Sequence, residues 1–324
     1  MELLSHIFTN AMLFTILVKM TPILFAAIGG AFTQQGNILN IGLDGMMLVG
    51  AFAAISVGAL TGSAWMGVLA GLIAGLLLAL LFAWASLWLK ADFIVVGIGV
   101  NLLAAGLTVF LLNSVYKTSG NLSPPGFPQL MRLNLGPLQN IPIIGPAMQG
   151  QTILVLLGLL LVPAAWWVMF RTKFGVHLRS VGEDEDAAHA AGLKVRRIKM
   201  NSVLISGALS GVGGAQLAMA SLNSFGQDMT AGRGFIAVAA LTFGMARPLG
   251  TFIATLIFGI AQGIADQLQF VGWSSSLALM VPYVITIIAL VFAALRARER
   301  PGKKRKDGAA EPPTHGPPIA SVTG

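Results

Sequence analysis

Two ionisable residues stand between glycines at the head of long apolar runs. In Asn40-Ile41-Gly42-Leu43-Asp44-Gly45-Met46-Met47 a carboxylate leads one run, and in Ala231-Gly232-Arg233-Gly234-Phe235-Ile236 a guanidinium leads another. A charge at membrane depth is costly unless it is paired or wet, so each is a candidate for contact with a polar solute or ion. A plainer reading stays open: Asp44 caps a helix N-terminus, and Arg233 lies at the outer interface. An ungapped alignment of 42–51 with 231–240 sets Gly45 on Gly234, Val49 on Val238 and Ala51 on Ala240, with Asp44 opposite Arg233.

A third cluster is soluble in character. In the stretch Arg179 to Gly192, the acids Glu183, Asp184, Glu185 and Asp186 crowd the first turn of a short helix, where they suit its dipole. Ala187 and Ala188 follow, and Gly192 stops the helix. Lys194, Arg196, Arg197 and Lys199 then lead into the next apolar run. This is either a solvated loop helix or a docking knob for a partner, and docking is favoured because exposed loops of this kind carry function.

Other chemistries fail. His6, His177, His189 and His315 form no His-x-x-x-His pair, so no metal site and no catalytic residue is expected. The stretch 244–251 has glycines but lacks the lysine of a phosphate loop, so ATP binding by this chain is not expected. Cysteine is absent, which removes disulfides and thiolate metal sites.

The elements that must position these residues follow from composition. Of 324 residues, 56% are hydrophobic and 10% charged, with a mean hydropathy of +0.81. A soluble domain is about a quarter charged, so a water-soluble core and a disordered chain are both excluded. At about 20 residues per span, there is room for roughly 8–10 transmembrane helices. Apolar runs lie near 11–33, 38–60, 66–89, 93–113, 150–170, 201–222, 248–269 and 277–295, with a shorter half-span at 234–245. They are unalternated, which argues for an all-α polytopic membrane protein and against a barrel. The first run is followed by further spans and lacks a basic leader, so no cleaved signal is expected.

Nearly all of the net charge of +8 sits in two segments, the 171–200 loop and the tail from Arg296. That is the mark of loops kept on the cytoplasmic side and not of a nucleic-acid surface. Lys90 and Asp92 then fall inside and the proline-rich loop 114–149 outside. Trp65, Tyr116 and Trp273 sit at outer ends, and Trp88, Trp166 and Trp167 at inner ends, as aromatic belts require. Residues 1–295 thus form the membrane domain, and 296–324 a basic cytoplasmic tail expected to be disordered and to touch anionic lipid. In this frame the Asp44 and Arg233 helices run oppositely, which allows an inverted repeat with helices broken near 34–45 and 226–235. Gly67, Gly71 and Gly75, with the pairs Gly58/Gly62, Gly207/Gly211 and Gly259/Gly263, mark close helix packing.

These residues resemble the permease subunits of bacterial ATP-binding cassette importers of the branched-chain amino acid, ribose and nucleoside type. The blocks that carry it are Thr21 to Gly30 with Gly36 to Met47, then Val181 to Gly192, and Gly232 to Ala237 through Pro248-Leu249-Gly250. The first looks like the nucleoside or simple-sugar branch, with Asp44 where glutamate is common. Asp186-Ala187-Ala188 and Gly192 resemble the family's Glu-Ala-Ala-x-x-x-Gly docking motif.

The resemblance implies a permease in the bacterial plasma membrane, paired with a second permease, homologous or identical. Separate ATPase subunits would bind the ATP, and an extracytoplasmic binding protein would deliver solute. Asn40, Asp44, Asn101, Gln216, Arg233 and Phe235 would line the pathway, and Glu183 to Ala188 with Gly192 would dock the ATPase. A nucleoside is the first expectation for the solute, then a simple sugar, then a branched-chain amino acid. An ion-coupled secondary transporter is the rival class.

Overall fold

Stretches of 19 to 26 residues with almost no charge fold as seven helices long and apolar enough to cross a bilayer, among the described residues. Backbone polar groups in lipid must be satisfied within the segment, which leaves the helix as the form for each run. The computed structural model describes residues 10–118, 120–124, 127–132, 148–270 and 284. The expected span 277–295, Trp273, the tail 296–324 and most of the outer-loop prolines lie outside the described residues.

The order is α1 (Asn10–Gln35), α2 (Leu43–Thr61), α3 (Ala64–Ala83, continued by a π-helical turn Trp84–Trp88), α4 (Phe93–Val115), β1 (Asn121–Leu122) and α5 (Ile153–Arg171). Then come α6 (Lys173–Glu183), α7 (Glu185–Ala190), α8 (Val195–Gln216, with a π-helical turn Leu217–Leu222), β2 (Phe225–Gly226), α9 (Arg233–Phe243) and α10 (Pro248–Phe270). α9 is the expected half-span. β1 and β2 pair antiparallel, Asn121 with Gly226 and Leu122 with Phe225.

α8 is the central helix, and small residues let its neighbours reach it. A Cβ on Gly75 or Gly211 would fall on the opposing backbone of α3 or α8, and one on Gly50 would lie 2.6 Å from Gly211. With little hydrophobic drive between helices in lipid, this close approach supplies packing. Gly259 and Gly263 seat α10 on Ile16 and Met20 of α1. Gly62 departs from the expected Gly58/Gly62 seam. At φ +65° it is the left-handed cap of α2, and nothing lies within 4 Å of where its Cβ would stand. α4 is peripheral, exposing Val95, Leu102 and Phe110, which is why its sequence is apolar all round.

The face carrying α6 and α7 collects arginines over aromatic rings. Arg171 lies over Trp166, Arg179 over Phe170 and Arg196 over Trp88, at 5.8, 4.8 and 5.5 Å. Cation–π contact suits basic side chains at a headgroup layer.

Candidate functional site

Two segments leave helical form inside the bundle, 36–42 before α2 and 223–232 before α9; the first lies within the break expected near 34–45, and the second overlaps the one expected near 226–235 but begins three residues earlier. Non-helical backbone at such depth must be paired by protein, and buried side chains do this. Asn40 Oδ1 accepts the Gly42 N–H (3.0 Å), and its Nδ2 donates to Ser206 Oγ on α8 (3.1 Å). Asn101 Oδ1 accepts the Gly45 N–H (2.8 Å), and its Nδ2 donates to the Ile41 carbonyl (3.0 Å). The helical rise puts Asn101 about 12 Å along α4 from Phe93, so this brace lies deep in the bundle.

Asp44 is in the first turn of α2, yet its carboxylate also serves α9. Oδ1 accepts the Gly234 N–H at 2.8 Å, and Oδ2 accepts the Thr230 hydroxyl at 3.0 Å. One buried carboxylate therefore sits between two helix N-termini, where both dipoles favour it. From there α9 runs toward the α6–α7 face, where the Ala246 carbonyl, just past its end, accepts from Gln35 at the end of α1 (3.0 Å). α2 runs the other way. The helices meet head to head, as an inverted repeat requires.

Arg233 and Phe235 lie on the open side of this junction. Arg233 is half-buried, and its Nη1 donates to the Met229 and Thr230 carbonyls (both 3.1 Å). Phe235 is 50% exposed. Gln216 is fully buried on α8; its Oε1 accepts from Thr152 at 3.2 Å, while its Nε2 has no partner in the structure. The six residues therefore divide: Asn40, Asp44 and Asn101 brace the broken segments, Gln216 is buried apart, Arg233 is half-buried on its own turn, and Phe235 is exposed.

The acidic loop is two helices where the sequence suggests one. Asp184 is extended (φ −151°) and caps α7, its Oδ1 accepting the Ala187 N–H at 2.9 Å. Glu183, Asp184, Glu185, Asp186 and Ala187 are exposed, and Gly192 ends the turn at φ +81°. Ala188 is buried with Val181 and Val195, and Glu185 pairs with buried Lys199 of α8. The knob is thus tied to the span that carries Ser206 and Gln216.

Sequence reasoning missed Thr230 and Ser206, which are ordinary residues until the fold sets them beside Asp44 and Asn40. It also left Lys19 and Asp266 unpaired. They form an ion pair of 2.9 Å between α1 and α10, and nothing in either local sequence announces the other.

Comparison with known proteins agrees across most of the chain. The family described as branched-chain amino acid transport system / permease component matches residues 12–290. The nucleoside ABC transporter permease protein NupC of Lactococcus lactis is 38% identical over 286 residues, covering 85% of this chain and 89% of that protein. The guanosine ABC transporter permease protein NupQ of Bacillus subtilis is 35% identical over the same shares. The putative glucose ABC transporter permease protein TsgC13 of Haloferax volcanii is 33% identical over 260 residues, 80% of this chain and 77% of that protein. No solved structure matches the chain.

Proposed function

The chain belongs to the branched-chain amino acid transport system permease-component family, and from that premise we propose that it forms half of the membrane pathway of an ATP-binding cassette importer for nucleosides. The carrying observation is the similarity to nucleoside and guanosine permeases along 85% of its length. A simple sugar is the second reading, favoured by the glucose permease relative.

In this reading the chain is the passive half of the machine. A second permease, homologous or identical, completes the pathway, two ATPase subunits bind and hydrolyse ATP, and an extracytoplasmic protein delivers solute. The membrane is a bacterial plasma membrane. The α6–α7 face and the basic tail are cytoplasmic, as the arginine and lysine bias favours. The exposed acidic face of α7 seats in the ATPase, and the Glu185–Lys199 pair passes its movement to α8. An ATPase that binds two packings of the helices unequally shifts their balance.

The pathway passes Arg233 and Phe235, whose ring offers a base a stacking face. Asn40, Asp44 and Asn101 hold the two broken helices that present them, and Gln216 flanks the route from α8. A secondary transporter would need a relay of buried carboxylates. Among the described residues Asp44 is the buried carboxylate, and its bonds to Gly234 and Thr230 are those of a brace.

The test is reconstitution with the ATPase and binding protein in liposomes. ATP-dependent uptake of radiolabelled guanosine ahead of glucose is expected. Uptake indifferent to ATP and abolished by a proton ionophore would assign a secondary transporter.

A further inference from the structure

Lys19 and Asp266 interrupt helices that are otherwise uncharged, and they find each other: Nζ and Oδ2 lie 2.9 Å apart. Rise along the helices puts Lys19 about 24 Å and Asp266 about 27 Å from the α6–α7 ends of α1 and α10. Two separate counts thus set the pair in the outer part of the bundle, well above the Asp44 junction.

Their exposure decides what the pair can be. The side chains remain 30% and 32% accessible. An ion pair made only to staple two helices gains by being closed off and fully hydrogen-bonded, because half-solvated charges in an apolar layer are costly. An open pair at this depth calls for water. Gln262, one turn deeper on the same face of α10, buries an Oε1 that has no hydrogen-bond partner in the structure. A buried acceptor left unpaired is costly, and a solute hydroxyl or amine would satisfy it. The face is also rigid: Gly259 lies so close to α1 that a Cβ there would stand 2.7 Å from Met20 Cβ and 3.1 Å from the Ile16 carbonyl.

We propose that Lys19, Asp266 and Gln262 form a solute-contacting site in the outer part of the pathway, suited to an uncharged solute bearing hydroxyls. The carboxylate accepts hydroxyl protons, the ammonium donates to hydroxyl or ring oxygens, and the Gln262 amide oxygen accepts one further O–H or N–H. The pair carries no net charge, so it offers both donor and acceptor without selecting for an ion. This site rests on the transport reading above and extends it to residues outside the broken helices.

The absence of native cysteine makes the test direct. Gln262→Cys and Asp266→Cys variants of the assembled transporter are treated in intact cells with a charged, membrane-impermeant methanethiosulfonate reagent. Gln262→Cys keeps the ion pair, so its folding is not at issue. The expected result is labelling from outside, slowed by saturating guanosine. In uptake, Asp266→Asn and Lys19→Met should each raise KM about tenfold or more, the worth of one charge-assisted hydrogen bond. The exchanged double variant K19D/D266K, which keeps a pair, should not restore it.

Inert cysteines at both positions, or wild-type KM in the exchanged variant, would overturn the site and leave the pair a staple. Failure of the wild-type complex to import guanosine would instead remove the nucleoside reading, while labelling would still decide whether the site is wet.

Discussion

Gly234 has no space for a side chain because Asp44 occupies it. A Cβ built on Gly234 would meet the backbone N, Cα and Cβ of Asp44, while the Asp44 carboxylate takes the Gly234 N–H at 2.8 Å. The contact is steric and polar at once, and it fixes how α2 and α9 approach.

Breaking it from either side should therefore cost differently. Asp44→Ala orphans the buried Gly234 N–H and Thr230 hydroxyl, at roughly 1–3 kcal/mol for each group. Asp44→Asn keeps one acceptor oxygen and should lose less. Gly234→Ala should be the worst of the three, because the clash is with backbone. Thermal unfolding of the purified protein followed by size-exclusion fluorescence should give midpoints that fall from Asp44→Asn through Asp44→Ala to Gly234→Ala, and a wild-type midpoint for Gly234→Ala would contradict the head-to-head contact.

Asn101 should behave as a two-handed brace. It accepts from Gly45 and donates to Ile41, so Asn101→Leu removes both bonds at once. Each orphaned backbone group costs roughly 1–3 kcal/mol. The unfolding midpoint of Asn101→Leu should fall well below that of wild type, and an unchanged midpoint would mean that the 36–42 segment is held by something else.

How far the sequence foretold this is plainest at Asp44. Its glycine-flanked carboxylate announced a special position, and the neighbouring break was legible because a polar run interrupts an apolar one. The glycine ladder on α3 was legible for the same reason: four-residue spacing is a helix-surface pattern. What could not be read was partnership. Thr230, Ser206 and the Lys19–Asp266 pair owe their roles to residues far along the chain, and no local periodicity encodes that. In the sequence Asp184 is one acid among four, because its cap on α7 depends on an extended backbone that the composition does not specify.

The α7 knob should separate docking from folding. Asp186 and Ala187 are exposed, whereas Ala188 is buried, so D186R/A187R reverses the outer face without touching the small core beneath. The variant should fold normally but lose copurification with the ATPase, or hydrolyse ATP without uptake. Asp184→Ala removes a cap worth roughly 0.5–2 kcal/mol and should weaken docking through disorder of α7. Normal coupling in D186R/A187R would place the ATPase contact elsewhere.

Arg233 and Phe235 should matter to transport and little to assembly. Stacking of a base on an aromatic ring is worth roughly 1–3 kcal/mol, so Phe235→Leu should raise KM for guanosine about tenfold, with Phe235→Tyr near wild type. A sugar without a base should be less affected, which separates the two solute readings. Arg233→Ala should impair uptake while ATPase copurification stays intact. Arg233→Lys discriminates between two ways Arg233 could act. Its Nη1 donates to the carbonyls of both Met229 and Thr230, and lysine keeps the charge without the guanidinium's fixed planar geometry. If lysine restores uptake, the charge in the pathway is what counts; if it fails as alanine does, Arg233 works by shaping the turn that leads Thr230 and Gly234 to Asp44. Wild-type uptake in Arg233→Ala would remove it from the pathway altogether.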